Sequence, residues 1–313
     1  MPLPVDSTHL SDASALYLAE YGGSVESQFA KSSIIRQFVD IKSVRGTNTL
    51  QNNRVGRTSL GSVTPGVRPD ATPTKFGTVS VTVDTIIIAR DNVAALDAFQ
   101  SNFDHRSEIG MDHGKEIGKF FDEAHIIKVI HGAQATPADS LDGAFGSGKA
   151  VYLGTGAATG DTLEAGIRNI LVSMEEEDID ADEFVVLVRP LEYSILLDSS
   201  KLIDGDFSAG HDFANGMIKQ VYGAPIVKTA RIPRSVEASH LLGASYNVAA
   251  TDATALAVVM HRRSLLAGET IPLTSDVYYD KKELQHFIDS HLAFGVAVNR
   301  EDLCGAVFNV VAP

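Results

Sequence analysis

The feature that most constrains this fold is a pair of extended segments, residues 41–60 and 76–90, joined by a tip of turn-forming residues. The tip, residues 61–73, contains three prolines and two glycines, which favour turns over regular structure. The first limb has few apolar residues between positions 42 and 48, and an isolated two-stranded hairpin is at best marginally stable in water. We therefore expect the hairpin to pack on a neighbouring copy of the chain rather than on its own body.

The charge distribution favours the same arrangement. Residues 31–75 contain eight basic and two acidic residues and carry +6, whereas the whole chain carries −14, which leaves −20 on the rest. A basic arm and an acidic body are complementary between copies. A solvated loop remains an alternative, and nucleic-acid binding is disfavoured because interleaved aromatic residues are lacking and an acidic body repels phosphate. The candidate inter-subunit contacts are Arg45, Arg54, Arg57 and Arg68.

Length and composition are those of a soluble globular protein with one large or two moderate domains. The chain has 313 residues, of which 44% are hydrophobic and 21% charged. Its first residues resemble no signal peptide, and no run approaches the ~20 apolar residues of a membrane span. The single cysteine, Cys304, excludes an intramolecular disulfide and is predicted to be buried. These features fit assembly in a reducing cytosol.

The helical pattern is dominated by one long amphipathic segment. Residues 104–131 have apolar residues at helical spacing and predict a rod of roughly 40 Å. Residues 11–39 predict two short helices separated at Gly22 and Gly23, and Asn92 is predicted to cap another short helix. A further helix is predicted over residues 162–174.

The remaining apolar segments read as strands. Residues 183–189, 256–260 and 305–311 are short apolar runs of strand length. Residues 280–294 fit either a helix or a long amphipathic strand. The mixture predicts an α+β fold.

Two glycine-rich segments resemble nucleotide-binding motifs without completing them. Residues 143–149 resemble a phosphate-binding loop, but Ala150 stands where magnesium binding requires a hydroxyl group, and no strand precedes them. Residues 154–160 resemble a dinucleotide fingerprint whose last glycine comes one residue late. A glycine-rich hinge explains the second segment better.

The acidic and histidine residues form no complete catalytic or metal-binding pattern in the sequence. Asp178, Asp180 and Asp182 occupy positions 1, 3 and 5 of a calcium loop, but Glu183 and Arg189 stand where Gly and Glu are required, so a solvated turn is favoured. Glu283 with His286 is half of a carboxylate-bridged metal pattern, and His291 lies too far along to share a helix face with His286. We therefore expect no enzyme activity, catalytic residue, cofactor or metal site.

Short motifs spread in order along nearly the whole chain carry a resemblance to a known family. They occupy residues 16–25, 29–31, 56–59, 104–108, 260–262 and 305–308. Together they resemble the major capsid proteins of T7-like tailed bacteriophages. That resemblance implies the HK97-type capsid fold, in which an extended loop (the E-loop) lies across a neighbouring subunit.

The resemblance also implies a division of the chain. The N-terminal arm would be residues 1–40 and the E-loop residues 41–90. The peripheral domain, with its spine helix at about 104–131, would be residues 91–155 and 268–303. The axial domain would be residues 156–267 and 304–313.

The function implied is self-assembly into the icosahedral shell that encloses phage DNA. The expected partners are further copies in hexamers and pentamers, a separate scaffolding protein, the portal protein and packaged double-stranded DNA without sequence-specific contact. The chain would lie in the virion capsid after assembly in the host cytoplasm, with no membrane contact. The alternatives are the shell of an encapsulating compartment with the same fold, and a nucleotide-binding α/β enzyme that uses residues 143–160. No lysine lies between Lys42 and Lys75, which disfavours covalent cross-linking from the loop tip.

Overall fold

The structure is a computed structural model of the chain. It describes residues 9–62, 65–66, 73–94, 105–137, 141, 143–179, 183–199, 218, 220–280 and 282–312, with the backbone alone at 9–20, 94, 105 and 106. None of the helices in these ranges is long and apolar enough to cross a membrane.

The described ranges contain four α-helices, α1 (His9–Ser32), α2 (His105–Gln134), α3 (Gly160–Glu175) and α4 (Pro190–Leu197). Thr159 caps α3 through a reciprocal capping box with Thr162, which satisfies two backbone donors at the helix start. α4 begins with a proline, whose fixed φ suits the first helical turn. Short 3₁₀ turns lie at Ile35–Gln37, Ala244–Tyr246, Asp252–Thr254 and Glu301–Leu303.

The strands in the described part of the chain form three sheets. Their bounds are β1 Ile41–Ser43, β2 Thr49–Val55, β3 Phe76–Thr82, β4 Ile87–Ala94, β5 Lys149–Tyr152, β6 Phe184–Val188, β7 Gln220–Val221, β8 Ala224–Lys228, β9 Ala255–His261, β10 Leu265–Asp280, β11 Gln285–Val298 and β12 Cys304–Phe308. A four-stranded sheet has the order β1-β10-β11-β4, and a six-stranded sheet has the order β5-β12-β9-β6-β8-β7. β2 and β3 pair with each other as a hairpin.

The long helix α2 lies at the centre of the molecule, and its apolar side joins the two larger sheets. One core cluster contains Phe121, Ile126 and Ile130 of α2 together with Phe294 of β11 and Phe308 of β12. A second core lies under α3, α4 and the other face of the six-stranded sheet. β6, β9 and β12 are buried at every residue, which explains their continuous apolar sequences.

α1 packs closely along α2 because α2 carries glycines at every fourth position where the helices meet. A Cβ at Gly114 would lie 2.5 Å from the carbonyl oxygen of Val25, and one at Gly118 would lie 3.0 Å from Ser32. Larger residues at these positions would hold the helices apart. At the end of α1, the buried carboxylate of Asp122 accepts hydrogen bonds from the hydroxyl of Ser33 and the backbone N–H of residue 34, both at 2.8 Å.

Several expectations for the helices and strands are confirmed. The long helix spans His105–Gln134 and the helix at 162–174 spans Gly160–Glu175. The segment 280–294 adopts the strand alternative, since Asp280 ends β10 and residues 285–294 lie in β11. Cys304 is buried, and burial raises the pKa of its thiol.

Three expectations are wrong. α1 runs through Gly22 and Gly23 without a break, because its packing on α2 stabilises a helix that the local sequence disfavours. The first limb of the hairpin is two strands, β1 and β2, separated around Gly46, which has a φ of 78°. Asn92 caps no helix; it lies in β4, which pairs with β11.

Candidate assembly surface

The lower half of the hairpin packs on its own body. β2 and β3 pair from Thr49↔Thr82 to Val55↔Phe76. Val81 is 5% exposed and lies against Gly295 of β11, where a Cβ would be 3.1 Å from its methyl group. Leu50 packs in the same way on Gly268 of β10. The expectation that the hairpin avoids its own body is therefore wrong for this half.

A buried arginine of β2, Arg54, connects the hairpin to residues 299–301, which lie just before β12. Arg54 is 5% exposed and donates to the backbone oxygen of Asn299 and, at 3.2 Å, to the carboxylate of Glu301. Its guanidinium lies 5.2 Å from the ring centre of Phe145, and that of Arg300 lies 5.1 Å from the same ring. We call this group of five residues the clasp. Burial strengthens its charge-assisted hydrogen bonds and makes an unpaired member costly.

The clasp accounts for one of the two glycine-rich segments. Phe145 lies within residues 143–149, and a Cβ at Gly148 of that segment would overlap the backbone oxygen of Gly132. Lys149 forms an ion pair with Glu177. These contacts explain Gly148 by close packing and Lys149 by charge pairing, rather than by phosphate binding.

The second glycine-rich segment is a turn followed by a helix start. Gly154 has a φ of 88°, and a Cβ at Gly160 would lie 2.5 Å from the backbone oxygen of Ile195. A left-handed turn and a close approach between α3 and α4 both require glycine at these positions.

The upper half of the hairpin exposes three large apolar side chains. Leu60 is 98% exposed, Phe76 74% and Val55 55%. Arg57 is also exposed, and its backbone N–H donates to the carbonyl of Leu141 at 3.3 Å. Large apolar side chains grouped on a protruding segment are typical of protein–protein contact surfaces.

The four predicted contact arginines lie in different surroundings. Arg45 and Arg57 are exposed, Arg54 belongs to the clasp, and Arg68 lies outside the described residues. Sequence reasoning missed Phe145 and Glu301 as partners of Arg54, because they lie about 90 and 250 positions away along the chain. It also missed Leu60 and Phe76, whose apolar character within a polar segment was an available signal.

A second exposed apolar region lies on β4, β10 and β11, at the end of the four-stranded sheet farthest from the clasp. Ile88 is 51% exposed and Tyr278 is 40% exposed, and the ring of Tyr278 stacks 5.3 Å from that of Phe287. Beside them Arg90 forms two hydrogen bonds with the carboxylate of Asp289, at 2.7 and 2.6 Å.

The candidate metal ligands are not brought together in the part of the chain that the structure describes. No group of three His, Cys, Asp or Glu residues in those ranges is placed to hold a metal ion. Asp180 and Asp182 of the calcium-loop pattern lie outside the described residues. His286 lies in β11 with its ring 4.9 Å from that of Tyr279, and Glu283 is exposed in the preceding turn.

Comparison with known sequences identifies phage capsid proteins as relatives. The major capsid protein of Escherichia phage T7 is 22% identical over 232 residues, which cover 71% of this chain and 67% of that protein. The minor capsid protein of the same phage is equally similar, with 58% of its length covered. No protein-family model matches the chain.

Comparison with solved structures gives a relative of higher sequence identity. The mature capsid of bacteriophage PhiM1 is 30% identical, with a TM-score of 0.79 over 90% of this chain and 88% of that one. The capsid of cyanophage P-SCSP1u has the same TM-score at 17% identity and covers 88% of both chains. The hairpin, the long helix and the two larger sheets are thus those of a phage shell subunit, and the chain belongs to the family of phage major capsid proteins with the HK97-type fold.

Proposed function

We propose that this chain builds the icosahedral capsid by joining copies into hexamers and pentamers through its hairpin. The observation that carries the proposal is the division of the hairpin at Arg54. Below it the strands pack on their own body, and above it Leu60 and Phe76 expose apolar surface. Burying such surface against another copy is favourable by roughly 25 cal/mol per Å².

In this proposal the exposed arginines direct the contact. Arg45 and Arg57 of a basic hairpin approach the acidic body of the next copy. Each exposed ion pair contributes about 0–1 kcal/mol, so affinity comes mainly from apolar burial and from the many copies in a shell. Arg54 acts within its own chain, and Arg68 stays a proposed contact.

The proposed domains follow the resemblance, with boundaries moved where sheet membership requires it. The arm is residues 1–40, and the E-loop ends before β4, since β4 pairs with β11. The peripheral domain contains α2 and the rest of the four-stranded sheet. The axial domain contains the six-stranded sheet and therefore includes β5, which pairs with β12.

The proposed partners are a separate scaffolding protein during assembly in the host cytoplasm, the portal protein, and packaged double-stranded DNA held without sequence-specific contact. The role is structural, with no catalytic step. The similarity to phage capsid proteins is what supports proposing partners of these kinds.

Negative-stain electron microscopy of the purified chain, expressed with and without its candidate scaffolding protein, tests the proposal. We expect closed shells or rings of five and six subunits in at least one condition. A monodisperse monomer in both conditions would contradict the proposal. An enclosed protein cargo in place of DNA would indicate the encapsulating compartment instead.

A further inference from the structure

A cavity of about 360 Å³ lies between the base of the hairpin, α2 and the segment around Tyr246. Its lining mixes apolar side chains with hydroxyl groups, among them Val81, Leu242 and Phe294 and the hydroxyls of Ser80, Thr82 and Thr85. Sites for small molecules are typically cavities of roughly 300–1,000 Å³ that combine apolar walls with a few polar groups. The cavity therefore has the size and the mixed lining of a small-molecule site.

One amine reaches this cavity from α2. Lys128 lines it, and its Nζ lies 4.0 Å from the centre of the Tyr246 ring and donates to the backbone oxygen of Ser245 at 2.8 Å. The ring is held in place because the Tyr246 hydroxyl donates to the backbone oxygen of Val296 at 3.0 Å and accepts from its N–H at 2.8 Å. A lysine ammonium has three N–H donors. The carbonyl and the ring face occupy two of these positions, which leaves the third for the cavity.

The surroundings of Lys128 favour the neutral amine. No carboxylate among the described residues forms an ion pair with Lys128, and burial lowers the pKa of its amine from 10.5 to about 8. Asp84 lines the same cavity from the segment after β3. His240 stacks on the far side of the Tyr246 ring at 5.4 Å, and burial lowers the pKa of His240 as well. Lys128 is therefore the group in this cavity that loses a proton near pH 8.

We propose that Lys128 is a covalent ligand site, on which a small uncharged aldehyde held in the cavity forms a Schiff base. The amine lone pair attacks the carbonyl carbon and gives a carbinolamine. The carbonyl oxygen then leaves as water with the two amine hydrogens, and a C=N bond remains. Nothing is oxidised or reduced in this step. The inference goes beyond assembly, because a single copy of the chain contains the whole site.

The lining determines the class of aldehyde. An apolar body can pack on Leu242 and Phe294, while the hydroxyl groups of the hairpin base can bind polar substituents. An anionic aldehyde is disfavoured because the carboxylate of Asp84 lines the same cavity.

Two other lysines separate the effect of the cavity from simpler causes. Lys228 has a similar ring contact, with its Nζ 4.4 Å from the centre of the Tyr193 ring, but Lys228 is exposed and lies outside this cavity. Lys115 lies on the same helix as Lys128 and is exposed. If the cavity rather than the ring or the helix activates the amine, Lys128 alone of the three should react fast.

Reductive labelling of the purified chain with benzaldehyde tests the proposal. Sodium cyanoborohydride reduces the imine to a stable benzylamine, and peptide mass spectrometry measures the labelling rate at each lysine. At about pH 7.5 we expect Lys128 to be labelled at least about tenfold faster than Lys228 and Lys115, because each unit by which a pKa falls raises the neutral fraction about tenfold. In urea, where the chain is unfolded, the three rates should become equal. A rate at Lys128 no higher than at the other two in the folded chain would overturn the proposal.

The dependence on benzaldehyde concentration tests whether the cavity holds the ligand. The rate at Lys128 should saturate, whereas a rate that stays linear would show a reactive amine without a binding site and would overturn the ligand half of the proposal. Thr85→Phe fills the cavity and should slow labelling of Lys128 several-fold. The matched control Thr78→Phe changes an exposed threonine of β3 outside the cavity and should leave the rate unchanged. Circular dichroism checks that both variants fold, and equal rates at Lys128 in the two variants would contradict the role of the cavity.

Discussion

The two halves of the hairpin have the same extended backbone but opposite surroundings. The lower half lies on small residues of its own body, such as Gly268 and Gly295, and ends at the buried Arg54. The upper half begins at Val55 and exposes apolar side chains along the limb, of which Leu60 is nearly fully exposed. The difference teaches that one hairpin can be an intramolecular element at its base and an intermolecular one at its tip.

The largest expected effect on stability is the loss of the clasp. Arg54→Ala leaves the carboxylate of Glu301, whose side chain is 14% exposed, without its buried partner. Breaking a buried ion pair by removing one member costs about 3 kcal/mol of unfolding free energy. Urea denaturation measures the loss. The matched control Arg57→Ala removes an exposed arginine three residues later and should change stability by less than about 0.5 kcal/mol. An equal loss of unfolding free energy in the two variants would contradict the distinction between the buried and the exposed arginine.

A substitution beneath the hairpin should have the next largest effect. Gly295→Ala places a Cβ 2.9 Å from the carbonyl oxygen of Thr82 and 3.1 Å from Val81, so the hairpin must shift or strain. Overpacking of this kind costs about 1–3 kcal/mol. We expect lower stability and faster proteolytic cleavage within the hairpin. Gly61→Ala in the exposed half, where a Cβ meets nothing within 4 Å, should leave both unchanged.

A buried histidine of α2, which packs against the inner face of β11, predicts a pH dependence of stability. His125 is fully buried, with its ring stacked 5.8 Å from that of Phe294, and burial lowers its pKa from 6.5 to about 4. The unfolded chain therefore binds a proton on His125 below pH 6.5, while the folded chain does so only near pH 4. Stability should fall as pH decreases through that window, by up to about 1.4 kcal/mol per pH unit. The His125→Phe variant should show a shallower slope, and an unchanged slope would contradict this role.

The smallest effect on stability should come from the exposed arginines. Reversing Arg45 and Arg57 to Glu removes no described ion pair with a carboxylate of the same chain, so the unfolding free energy should change by less than about 1 kcal/mol. Particle formation in the electron microscope should nevertheless be lost, because the reversed charges meet an acidic body. Normal particles from this variant would show that charge does not direct the hairpin.

Local patterns in the sequence were enough to predict several elements. The hairpin, the long helix and the buried strands follow from turn residues, helical spacing and apolar runs. The break expected at Gly22 is absent because α2 stabilises α1, and no local signal encodes that contact. The pairing of β4 with β11 depends on residues roughly 200 positions away, and the burial of Arg54 on a partner about 250 positions away. For the same reason, counting charges identified a basic hairpin but could not separate Arg54 from Arg57.

Hydrogen–deuterium exchange on the monomer and on assembled shells tests the central claim most directly. The account predicts that residues 49–54 and 79–83 are protected in both states, because their protection comes from their own chain. Residues 58–62 and 74–75, which lie beyond the paired part of the hairpin, should exchange rapidly in the monomer and become protected in shells. Equal protection of the upper half in both states, or rapid exchange of the lower half in the monomer, would contradict the account.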